Sequence, residues 1–111
     1  MRKFHRIKGR RKSFLQSLAN NLIMKEKIET TVARAKEIRP LVERLVSVAK
    51  KQQLANLRLL IARLPKTSAQ KLFYEIAPRY QSRAGGYLRI IKQTKTRKRD
   101  NSPLATIEFI K

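Results

Sequence analysis

The sequence predicts an α+β domain in the order helix, short strand, three helices, two strands, behind a basic N-terminal arm. Three observations carry this. Apolar residues return at helical spacing in four stretches between residues 13 and 78. Strict alternation replaces that spacing near the C-terminal end, where Ala105, Ile107 and Phe109 fall on one face. Between the two regimes stands Gly85-Gly86, a turn signal.

Each element has its own reason. Residues 1–12 carry seven Lys or Arg plus His5, too much like charge to fold alone, and are expected to order only against an anion. The folded domain is expected over 13–111. Ser13 and Gln16 have capping-box spacing, and Phe14, Leu15, Leu18, Ala19, Leu22 and Ile23 make one apolar helical face. Residues 26–31, with Ile28 and two threonines, suit a short strand that would put Glu26 and Glu29 on opposite faces. Thr31 can cap a helix over 32–51 whose stripe is Ala35, Ile38, Val42, Leu45 and Ala49. Pro40 inside it removes one backbone hydrogen bond. A short helix over 54–64 offers Leu54, Leu57, Leu60, Ile61 and Leu64, and Pro65 ends it. Thr67 or Ser68 can cap a fourth helix, with Ala69, Leu72, Phe73 and Ile76 as core, stopped by Pro78. Residues 87–93 read as a strand, 94–99 as a basic loop and 105–110 as a second strand, together an antiparallel hairpin with a cationic tip.

Composition narrows the function. The chain has 28 Lys and Arg against 7 Asp and Glu, a net charge of +21 on 111 residues. Such a chain repels itself unless it binds an anion, and a nucleic-acid backbone is the natural one. The excess is uneven: residues 1–25 hold eight basic residues and no acid, whereas residues 26–75 hold eleven basic residues and five acids. The absence of cysteine removes disulfides and thiolate metal sites. No window resembles a membrane span. The scattered acids, the single histidine and the lack of a phosphate-cradling glycine loop leave no constellation for catalysis, a metal, a cofactor or a small-molecule substrate.

Three segments are candidate RNA ligands. The arm supplies Arg2, Lys3, Arg6, Lys8, Arg10, Arg11 and Lys12. The run from Pro78 to Tyr87 supplies Arg79 and Arg83, whose planar forks match phosphate oxygens, and Gly85 and Gly86, which leave backbone N–H groups unshielded. Gly also serves the turn there, and Tyr87, opening a strand, is expected to pack on the domain. The hairpin supplies Arg89, Lys95, Arg97, Lys98 and Arg99. Duplex readers present a recognition helix. Here the excess charge sits on arms, turns and loops while the helices are comparatively balanced, which favours folded RNA. A small DNA-compacting protein is the alternative that charge alone leaves open.

The residues also resemble a known family. The run Ser82-Arg83-Ala84-Gly85-Gly86-Tyr87-Leu88-Arg89-Ile90-Ile91-Lys92, followed by Arg99-Asp100-Asn101-Ser102-Pro103-Leu104-Ala105-Thr106-Ile107-Glu108, is similar to the bacterial-type large-subunit ribosomal protein family L-seventeen. So are Glu29-Thr30-Thr31, Ala35-Lys36-Glu37-Ile38-Arg39-Pro40 and Ile76-Ala77-Pro78-Arg79-Tyr80. The resemblance implies a two-layer α/β domain and a structural protein bound to large-subunit ribosomal RNA. It also implies a place near the nascent-peptide tunnel exit, beside other large-subunit proteins, in a bacterial cytoplasm or an organelle. The opening departs from the family pattern: Lys8-Gly9-Arg10-Arg11 stands where members usually carry His-Arg.

Overall fold

The computed structural model describes residues 8–96 and 103–110. Helix α1 (Lys8–Lys25) leads into strand β1 (Lys27–Thr31), then α2 (Val32–Ala49), α3 (Leu54–Arg63) and α4 (Lys66–Lys71). A π turn (Leu72–Ile76) and a 3₁₀ turn (Ala77–Tyr80) extend α4, and strands β2 (Leu88–Thr96) and β3 (Pro103–Phe109) close the fold. The three strands are antiparallel in the order β1-β3-β2. The predicted hairpin is therefore present, and its second strand also takes β1 on its other edge.

The sheet is amphipathic in the way its alternation predicted. Ala105, Ile107 and Phe109 of β3 are buried with Leu88 of β2, and Ile28 and Ile90 pack partly against them. Helix α2 covers this face, touching all three strands, and contributes Ala35, Ile38, Val42, Leu45, Val46 and Ala49 to the core. Its start is capped as expected: Thr31 Oγ1 accepts from the backbone N–H of Arg34 at 3.3 Å. The helix runs through Pro40.

Several expectations are corrected. Helix α1 begins at Lys8, so Ser13 and Gln16 lie within it, and Lys8, Arg10, Arg11 and Lys12 stand on a helix where an arm was expected. The good helix propensity of Arg and Lys carries the helix back past the capping-box signal. Arg2, Lys3 and Arg6 lie outside the described residues. Glu26 precedes β1 and has a left-handed backbone at φ 63°. Leu54 and Ile61 are exposed, at 61% and 38%. Helix α3 packs chiefly on α2 and α4 and buries a narrow stripe, with Asn56, Leu57 and Leu60 inside it and Leu64 just beyond. Pro78 does not stop the fourth helix, because a 3₁₀ turn accepts proline in its first turn, where the N–H has no helical partner. Strand β2 runs to Thr96, with its register shifted between Lys92 and Thr96. The tip residues Arg97, Lys98 and Arg99 lie outside the described residues.

The π turn has a physical consequence. The backbone N–H of Ala77 reaches Leu72 O, five residues back, which leaves Phe73 O without its usual i+4 donor. Gln52 fills the gap: its Nε2 donates to Phe73 O and to Ala49 O, both at 2.8 Å. Gln52 holds a left-handed φ of 55° to do so, a conformation costly for a residue with a Cβ. Gln52→Ala should therefore destabilise the protein by about 1–3 kcal/mol, read as a lower urea midpoint. Gln52→Gly, which keeps the backbone at ease but lacks the amide, should lose less.

Candidate nucleic-acid interface

The 3₁₀ turn and β2 are joined by a loop whose inside is built from two tyrosines. Tyr80 and Tyr87 are both buried, with ring centroids 5.3 Å apart. The Tyr80 hydroxyl donates to Ile110 O at 2.5 Å, and the Ile110 N–H donates to Tyr87 O at 2.9 Å. Both rings thus pack on the domain and offer no face for a base to stack on. Burial pushes the Tyr80 phenol up. Burial would raise Tyr87 as well, but hydrogen bonds from Lys50 and Ser47, together with the Lys50 charge, outweigh that and lower it.

Lys50, at the end of α2, holds the loop from beneath. Its Nζ donates to Arg83 O and, at 3.0 Å, to the Tyr87 hydroxyl. Gln81 Nε2 returns a bond to Lys50 O at 3.0 Å. The Arg83 guanidinium itself points outward, bonded through Nε to Gly85 O at 3.2 Å, with no carboxylate within salt-bridge distance among the described residues. The two glycines separate in role. Gly86 has φ 65°, which the turn requires. Gly85 has no such φ, and a Cβ at either glycine would meet nothing within 4 Å. The fold leaves the space over Gly85 open to a partner's backbone.

Most of the described acids are engaged by partners within the fold. Glu26 takes Arg79 through both carboxylate oxygens and sits 3.4 Å from Lys71 Nζ. Lys71 also donates to Met24 O, at the end of α1, at 2.7 Å. Glu43 lies 3.9 Å from Arg39, one helical turn before it, and accepts from the Leu88 N–H at 3.3 Å. On the outer face of the sheet, Glu108 takes Arg89 at 2.7 Å and Lys27 at 4.0 Å, and Glu29 accepts from Gln93 at 2.9 Å. The Arg79 hydrogen bonds hold the Glu26 carboxyl below the usual carboxylate range against the opposing pull of burial.

Comparison with known proteins fits this arrangement. The family model for ribosomal protein L17 matches residues 14–110. The chain belongs to the ribosomal protein L17 family. Relatives named large ribosomal subunit protein bL17 include one from Persephonella marina, 50% identical over 96% of this chain and 88% of its own length. Another, from Hydrogenobaculum sp., is 45% identical over 96% of this chain and 92% of its own. A third, from Thermodesulfovibrio yellowstonii, is 46% identical over 98% and 82%.

Within this L17-family fold the candidate residues do not form one cluster. Arg83, Gly85 and Gly86 share the loop above Lys50. Arg79 lies just before them, bound to Glu26, and Arg89 just after, bound to Glu108; both keep much of their side chains exposed. Lys95 lies near the far end of β2, and Lys8, Arg10, Arg11 and Lys12 on the first turns of α1. Sequence reasoning missed Lys50, Glu26, Lys71 and Gln52. Lys50 looks like any other surface lysine in a chain this basic, and only the fold brings it under residue 83.

The Glu26 cluster gives a pH signature. Its folded pKa is depressed, so its contribution is complete above the unfolded glutamate pKa of about 4.3 and fades as pH falls through the lower folded value. Glu26→Gln should lower the melting temperature at pH 7. The gap to wild type should shrink as pH drops below about 4, followed by thermal melts across pH 2.5–7.

Proposed function

We propose that the chain is a structural constituent of the large ribosomal subunit that binds and stabilises large-subunit ribosomal RNA, near the nascent-peptide tunnel exit and beside other large-subunit proteins. Membership of a ribosomal protein family and the names of its relatives support the particle. One observation supports the mechanism: the described acids are largely held by partners within the fold, whereas Arg83 and Lys92 are exposed with no carboxylate in salt-bridge reach among the described residues. The helices and sheet form a rigid base that fixes where cations enter the RNA. The loop over Lys50 presents one guanidinium beside an unshielded backbone at Gly85, so a phosphate can meet a charged fork and a chain that does not block its approach. Arg79 and Arg89 extend that surface, since a guanidinium has five N–H donors and a carboxylate does not use them all. Arg2, Lys3, Arg6, Lys8, Arg10, Arg11 and Lys12 add charge at the start of the sequence. Lys95, Arg97, Lys98 and Arg99 add it at the hairpin.

Binding through many phosphates releases many counterions. Affinity for large-subunit RNA should fall by about 10³–10⁵ between 50 and 200 mM salt if six to ten phosphates are engaged. Filter binding across that range tests this, and a nearly flat profile would sink the mechanism. Arg83→Ala and Arg97→Ala should each reduce the salt slope by about one and leave the melting temperature unchanged. A variant that instead unfolds the domain would show its arginine to be structural.

A further inference from the structure

A second surface has a different chemistry. The middle of α1 and the corner between α3 and α4 enclose an open cleft of about 660 Å³. Its α1 wall is a stripe at helical spacing: Ser13, Gln16, Ser17 and Asn20, with Asn21 beside it. In a chain with 28 Lys and Arg, this stripe carries no charge. Gln16 and Asn20 are half-buried, and neither side chain hydrogen-bonds to another described residue. The opposite wall supplies apolar surface from Ala62 and Pro65, and Arg63 is the one charged lining residue. Lys12 and Lys66 flank the walls in sequence, and the cleft is lined by no carboxylate.

We propose that this cleft receives a single unpaired nucleobase of the bound RNA. A base edge presents donors and acceptors side by side in one plane, and a side-chain amide offers the same pair. Gln16 and Asn20 lie one helical turn apart on one face and can read such an edge together. The ring face would rest on Pro65 and Ala62, and Arg63 at the rim would take the nucleotide's phosphate. Recognition of RNA by splayed-out bases needs such a combination, an amide row for the edge and a wall for the face. The surrounding cations and the missing carboxylate favour a nucleotide over a protein segment. The site would add base selectivity to an interface that otherwise reads phosphates. The inference rests on the RNA-binding reading above.

The test uses large subunits assembled with the wild-type chain or with a Gln16→Ala, Asn20→Ala double variant. Hydroxyl radicals map the RNA backbone, and dimethyl sulfate and carbodiimide map base edges. One unpaired base protected in wild-type particles should become reactive in the variant, with the backbone footprint unchanged. Affinity for the isolated RNA should drop about tenfold, the loss of one base-edge contact worth about 1.4 kcal/mol. Ser17→Tyr, at an exposed position, fills the cleft without touching the core and should expose the same base. Base reactivities identical in all three particles, with the backbone footprint intact, would overturn the proposal. So would loss of a neighbouring protein with no change at any base, which would assign the cleft to a protein segment. Absence of any backbone footprint from the wild-type chain would instead refute RNA binding itself.

Discussion

A single carboxylate, Glu26, ties four parts of the molecule together. It ends α1, with its N–H on Leu22 O at 2.6 Å, and it starts the sheet, with its carbonyl accepting from Phe109 at 3.1 Å. Its side chain reaches Arg79 in the 3₁₀ turn and Lys71 in α4. To make these contacts at once the backbone adopts a left-handed conformation that usually falls to glycine. An isolated surface pair would contribute little against that cost. Glu26 differs because it is partly covered, engaged by two cations and anchored by its own backbone at both ends. Removing it would loosen the docking of α4 and its π and 3₁₀ extensions, and with them the loop that carries Arg83.

This explains how a chain with net charge +21 can fold before its partner arrives. The few acids are placed at joints: Glu26 where α1 meets the sheet, Glu43 beneath the start of β2, Glu108 and Glu29 across the strands. Each local joint is electrically satisfied, so repulsion is displaced to surfaces that the core does not depend on. The same logic applies beneath the loop, where the positive Lys50 is spent on a carbonyl and a phenol, so it supports the outward cation without competing for its anion.

Periodicity made most of the architecture legible. The buried stripe of α2 is legible in the sequence except for Val46, and so are the inward residues of β3, because a long helix and a central strand bury one whole face. Helix α3 was misjudged because spacing shows that a face is apolar, not how much of it a neighbour covers; Leu54 and Ile61 belong to an apolar surface wider than its contact. The start of α1 was misplaced because a capping signal at Ser13 sits inside a stretch that helix-forming Arg and Lys extend. Glu26 and Gln52 were illegible for a stronger reason. Their side chains reach partners 21 and 53 residues away, and no local pattern encodes a contact of that range. The Arg-Ala-Gly-Gly-Tyr run is conspicuous in sequence, yet only geometry divides its glycines: both face open space, and Gly86 alone takes the left-handed φ of the turn.

The order of the sheet bears on how the chain is made. The strand that joins the other two comes last: β1 is complete by residue 31 and β2 by residue 96, but neither has a partner until residues 103–109 exist. During synthesis the helices can form locally while both outer strands wait with unpaired edges, the condition under which strands associate wrongly. Their sequences carry a safeguard. Lys27 and Glu29 on one, and Arg89 and Lys92 on the other, place charge on strands that must stay apart until the middle one arrives. A protein of this topology commits to its final shape in one late step, and its newly made form should be a cluster of helices before it is a domain.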